Sequence, residues 1–148
     1  MSFLISRWLF VSLLFAGLTA CGLGSNPLRP DGPLADCSGA PHCISSRATE
    51  PDRRVLPLRY TSRMHVAQRV LVDLVAELPG SRIVRNEPGY VHAEIATPLM
   101  RFVDDVEFEI LPDSVIHVRS SSRIGYYDFN VNRDRIEALR AQFNARQP

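Results

Sequence analysis

Residues 103–122, VDDVEFEILPDSVIHVRSSS, constrain the fold more than any other part of the chain. Side chains of a β-strand alternate between its two faces. Only a hairpin register with Phe108 opposite Val118 and Ile110 opposite Ile116 gathers the large apolar residues of both arms on one face. That register leaves Pro112-Asp113-Ser114 as the connection, and it sets Glu107 against Arg119 and Glu109 against His117. One face of the hairpin is dry and the other is charged.

The rest of the domain has to cover the dry face. Residues 55–60 read as a short strand that Pro57 confines to a sheet edge. A helix capped by Thr61 or Ser62 follows, with Val66, Val70, Leu71, Leu74, Val75 and Leu78 at helical spacing and Pro79-Gly80 as its stop. Residues 81–86 and 90–97 are strands joined by Glu87-Pro88-Gly89, and Val91, Ala93 and Ile95 alternate with Tyr90, His92 and Glu94. A last helix begins at or just before Asn132 and carries Ile136, Leu139 and Phe143 as its apolar stripe. The folded region is expected to start near Arg54. The order β-α-β-β-β-β-α predicts an α+β fold, a two-layer sandwich in which two helices lie on one face of a mainly antiparallel sheet of about five strands.

The chain starts with a leader. Residues 1–20 have one cation, Arg7, then an apolar run from Trp8 to Phe15 and small residues before Cys21. The run is shorter than the roughly 20 apolar residues that a bilayer span requires. Leu18-Thr19-Ala20-Cys21 matches the bacterial lipobox, so Cys21 is expected to be lipidated and to become the first residue of the mature chain. Acyl chains contribute about 0.8 kcal/mol per buried CH₂, and two or three of them hold a protein on a membrane. Gly22 stands where an inner-membrane retention signal would place Asp, which favours the outer membrane, facing the periplasm, over the inner membrane. Residues 21–36, rich in Gly, Ser, Asn and Pro, form a tether, and residues 37–148 a single globular domain.

In such a compartment Cys37 and Cys43 are expected to pair as a disulfide that fixes the Gly39-Ala40-Pro41 turn. A metal or redox site with His42 is the alternative. All 17 basic residues are Arg, and removing Arg7 with the leader leaves 16 of them against 16 acids. A neutral mature chain lacks the basic surplus that binds phosphate backbones, so nucleic acid is excluded as a bulk electrostatic partner.

Several motifs in order resemble one family. They are Cys43-Ile44-Ser45-Ser46 after a Pro, residues 101–108 (RFVDDVEF), residues 118–126 (VRSSSRIGY), and Asn132-Arg133 ahead of Arg135-Ile136-Glu137. Together they resemble the domain of unknown function family 1499 over residues 37–143. The resemblance implies a fold and a place in bacterial envelopes or related plastid proteins, and it implies no activity. Two positions depart from the family pattern. His42 stands where Asn is expected, and Asn130 where Gly is expected, although Asn tolerates a left-handed backbone better than most residues.

Arg101, Asp104, Asp105, Glu107, Arg119, Ser120, Ser122 and Arg123 are the candidate binding residues. Arginine forks and hydroxyls suit a phosphate or carboxylate, and the same residues could instead form a network that pins the hairpin. The partners this allows are the membrane through the N-terminal lipid, an envelope protein, or a lipidic or anionic ligand. No cofactor is implied. A hydrolase would need Ser120 or Ser122 beside His117 or His92, with Asp105 to orient the ring, and no nucleophile elbow surrounds either serine. A metal enzyme could draw on His92, Glu94, Glu107 and His117. Tyr126, Tyr127 and Phe129 could line an acyl pocket or seal the core edge.

Overall fold

A computed structural model describes residues 34–37, 39–98 and 101–147. The leader, Cys21 and most of the tether lie outside these residues. The strands are β1 (Cys43–Ser45), β2 (Leu58–Arg59), β3 (Ser81–Glu87), β4 (Tyr90–Ala96), β5 (Val103–Leu111) and β6 (Val115–Ser122). The helices are α1 (Met64–Ala76), between β2 and β3, and α2 (Val131–Arg146), after β6. The sheet runs β1-β6-β5-β4-β3, and β2 also pairs with the outer edge of β6. All of these strand pairs are antiparallel, which gives the expected α+β class with six strands.

The central hairpin has the register that its apolar alternation dictates, with Phe108 opposite Val118, Ile110 opposite Ile116 and Glu107 opposite Arg119. Val91, Ala93 and Ile95 of β4 continue the dry face, and Phe108, Ile116, Leu71, Leu74, Ile136, Leu139 and Phe143 are buried between it and the helices. Burial of each such aliphatic or aromatic side chain is worth about 1.5–3 kcal/mol. Gln68 is the one polar side chain buried on α1, and it clamps the β3–β4 turn: its amide donates to Asn86 Oδ1 and the Glu87 carbonyl and accepts from Gly89 N–H.

Three local expectations need correction. The sheet begins at Cys43 rather than near Arg54, because β1 is a three-residue strand too short to show a period. Its partner is the end of β6, where Cys43 faces Ser121 and Ser45 faces Arg119. Neither Thr61 nor Ser62 caps α1; Arg63 occupies the N-cap without a side-chain hydrogen bond, and the Ser62 hydroxyl donates to the Arg63 carbonyl at 3.4 Å. Residues 126, 127 and 129 are exposed and seal no core edge. Gly80, which follows α1, has φ +75°, and a Cβ there would stand 2.3 Å from the Ala96 carbonyl oxygen, so only glycine fits. Asn130 holds the expected left-handed conformation, φ 66°, just before α2.

Candidate functional site

Among the described residues no helix covers the second face of the sheet, yet its central side chains are shut off from water. His92 is 2%, Glu107 1% and Arg119 4% exposed. Register explains who meets whom: His92 lies opposite Glu107, Glu94 opposite Asp105, and Glu107 opposite Arg119. Glu107 accepts from the Tyr90 hydroxyl and from Arg119 Nη1, each at 2.8 Å. Asp105 accepts from His92 Nε2 at 2.8 Å and from both Nε and Nη2 of Arg123. Arg123 reaches on across β5 to Glu94, 2.7 Å away, which also pairs with Arg82. The Arg85 guanidinium lies 5.3 Å from the centre of the Tyr90 ring. Every acid on this face is bonded within the domain, while Arg119 Nε is buried with no partner among the described residues.

The electrostatics follow from these contacts. Burial raises the Asp105 carboxyl, but the hydrogen bonds from His92 and Arg123 outweigh it and hold the group at about 2. Arg123 is pushed up by its bonds to Asp105 and Glu94. Burial, together with donation to Glu107, raises the Tyr90 phenol. Because the folded state holds Asp105 below its ordinary value of 3.8, the associated stability is present above pH 4 and is lost as pH falls towards 2. Urea unfolding at pH 5 and pH 2 is expected to differ between wild type and Asp105→Asn by about 2 kcal/mol, the wild type losing more on acidification. An equal acid loss in both proteins would remove Asp105 from this role.

Asp104 belongs elsewhere. It has the parity of Val106 and Phe108, so it points to the helix side, where Arg135 Nη2 donates to it at 2.6 Å. Ser120 and Ser122 share that side. Ser120 donates to Asn132 Oδ1, and Asn132 Nδ2 lies within hydrogen-bond distance of Ser122 Oγ, Asp128 Oδ2 and the His42 carbonyl. Asn132 is fully buried, and Asp128 also accepts the Asn130 and Asn132 backbone N–H groups, which makes it the side chain that caps α2. The eight candidates therefore divide. Asp105, Glu107, Arg119 and Arg123 form one network on the open face, Asp104, Ser120 and Ser122 another under α2, and Arg101 is exposed in the turn before β5 with no side-chain bond among the described residues.

This division separates Ser120 and Ser122 from His92 and His117 by the thickness of the sheet, so the anticipated nucleophile and base do not meet. A different serine meets His117: Ser46 Oγ lies 3.0 Å from its Nδ1 and accepts the Val118 N–H at 2.9 Å. Burial, and then the charge of Arg47, lower the His117 pKa. Glu109, the nearest acid by register, is bonded to Arg47. Sequence reasoning passed over Ser46, Asp128, Asn132 and Arg135 as site residues. The Asp two residues before Asn130 was a readable turn signal, whereas nothing local joins Ser46 to a histidine 71 positions away. No cluster of three or more His, Cys, Asp or Glu able to hold a metal occurs among the described residues.

Cys37 and Cys43 have their sulfurs 2.15 Å apart, a disulfide-bond distance, with Cα atoms at 5.5 Å. Cys43 is on the open face beside Ser121, so the bridge ties the entering chain to that edge. Leu34 and Ala35, ahead of it, are buried.

A family model described as Protein of unknown function (DUF1499) matches residues 33–143. No curated protein and no solved structure matches the chain.

Proposed function

The chain belongs to the DUF1499 family, whose description assigns no activity, and on that premise we propose that it is a lipid-anchored protein of the bacterial cell envelope whose domain binds a partner or ligand without transforming it. The anchor rests on the leader and on Leu18-Thr19-Ala20-Cys21, and Gly22 favours the outer membrane facing the periplasm. One observation carries the binding half of the reading. Each of the three candidate acids of the hairpin is already bonded: Asp104 to Arg135, Asp105 to His92 and Arg123, and Glu107 to Tyr90 and Arg119. A general acid or base has to exchange protons with a substrate within hydrogen-bond reach. Carboxylates locked in this way act as struts. Among the eight candidate residues, the donors left over for an anionic or lipidic ligand are Arg101 on the surface and Arg119 Nε beneath it.

A second reading, hydrolysis, is favoured by the Ser46–His117 contact. Treating the chain purified from membranes with an alkyl fluorophosphonate separates the two. An activated serine would form an Oγ–phosphorus bond and release fluoride, adding the phosphonyl mass. The expected native mass spectrum shows a chain that begins at Cys21 with two or three acyl groups and no phosphonyl adduct. Labelling at Ser46 would overturn the non-catalytic reading. A mature chain without acyl groups would overturn the anchor. A further stoichiometric mass would identify the ligand directly.

A further inference from the structure

We propose that residues 124–131, the loop after β6 together with the first residue of α2, insert their aromatic tip into the headgroup–acyl boundary of the membrane that holds the protein. The inference rests on the anchored reading above. Within eight residues, five large apolar side chains face outward: Ile124 is 63%, Tyr126 76%, Tyr127 54%, Phe129 82% and Val131 42% exposed. A surface apolar cluster of this density marks an interaction site.

The cluster is held in place rather than left loose. Asp128 accepts from the Asn130 and Asn132 backbone N–H groups and from Asn132 Nδ2, which fixes the tip to the start of α2. Phe129 and Asn130 have φ of 55° and 66°, a left-handed pair that aromatic side chains rarely join. That backbone presents Phe129 outward, and the Tyr127 ring packs against it edge to face at 5.3 Å.

Location selects the membrane as the occupant. Asn132 Nδ2 donates to the His42 carbonyl, and Cys43 pairs with Ser121, so the loop springs from the point where the N-terminal segment joins the sheet. From Leu34 back to Cys21 the chain has a reach of at most about 45 Å. The loop and the entering segment lie at one end of the sheet, so the lipid on Cys21 can seat that end of the domain on the membrane. Arg123 N–H donates to the Val103 carbonyl, which brings the turn carrying Arg101 and Phe102 alongside Ile124. Phe102 is partly exposed and Arg101 is free of side-chain partners among the described residues, so the patch combines apolar rings with a cation for anionic headgroups. Tyr and Phe favour this interfacial depth, where the ring body is apolar and the hydroxyl stays wet.

Trp8 is the only tryptophan and lies in the leader, so a processed chain has a blank fluorescence background. Phe129→Trp, made in the full chain with its own leader, is reconstituted into phosphatidylcholine–phosphatidylglycerol vesicles with plain or acyl-brominated lipid. Bromine is expected to quench its emission at least about two-fold. Leu56→Trp is the control: it is also well exposed, but lies beside β2 at the far end of β6, a strand length of about 20 Å from the loop, and is expected to stay bright. Co-flotation without quenching of the loop reporter would overturn the inference and leave the anchor standing. Emission that shifts with protein density but not with bromine would assign the loop to a second copy of the chain, which also overturns it. Protein that fails to float with vesicles would remove the anchor and the inference together.

Discussion

Replacing Arg119 with Met is expected to destabilise the domain by about 3–5 kcal/mol, read as a lower urea midpoint with an unchanged slope. Arg119 and Glu107 are 4% and 1% exposed at their side chains and meet at 2.8 Å. Removing the guanidinium leaves the Glu107 carboxylate buried with the Tyr90 hydroxyl as its remaining donor. One neutral donor does not replace a lost counter-charge in a medium where solvation is poor. The double variant Arg119→Met/Glu107→Leu is expected to regain most of that loss, because two apolar side chains of similar size remove both desolvation costs at once. If the double variant is as unstable as the single one, the pair is not the unit that holds the face together. The double variant also separates structure from binding. A refolded domain that no longer retains an anionic ligand would give Arg119 a binding role that stability alone does not require.

Asn132→Ala is expected to cost about 2–4 kcal/mol, although the substitution removes only a small side chain. Its amide joins four separate parts of the molecule: Ser120 and Ser122 on β6, the His42 carbonyl in the entering segment, Asp128 in the loop, and Arg135 one turn along α2. Alanine leaves the His42 carbonyl and the Ser120 hydroxyl without this buried partner, each at a cost of about 1–3 kcal/mol. Amide hydrogen exchange is expected to accelerate first in residues 42–45 and 128–132, since those backbones lose their common tie. Uniform acceleration over the whole sheet would show that Asn132 supports the core rather than the junction.

The course of the chain around these residues was legible to different depths. Hairpin register followed from Phe108, Ile110, Ile116 and Val118 alone, because a shift of one residue would have turned all four outward. The left-handed Asn130 was legible from the family resemblance, which places Gly there, together with the tolerance of Asn for that backbone. Asp104 was legible too, since it shares parity with Val106, and grouping it with Asp105 and Glu107 ignored the same alternation that fixed the register. Burial of the open face was not. Alternation of polar and apolar residues says which side a group is on, whereas exclusion of water depends on side chains such as Arg123 reaching from the end of β6 over β5 to β4. The Ser46–His117 contact and strand β1 were equally out of reach, because a three-residue strand shows no period and its partner is decided by distant pairing.

Both borders of the sheet are guarded against recruitment of further strands. Along β6, the two short strands β1 and β2 occupy successive stretches of the same outer edge, and a bridge between Ser45 and Arg54 joins the chain on either side of the intervening loop. On the opposite border, β3 breaks step between Ile83 and Arg85, and it carries Arg82, Arg85 and Glu87 towards the open face. An interrupted ladder with fixed charges is a poor template for an incoming chain. Edge-on collisions between copies of this domain are therefore expected to end in separation, so that it can reach high local concentration without polymerising into fibrils.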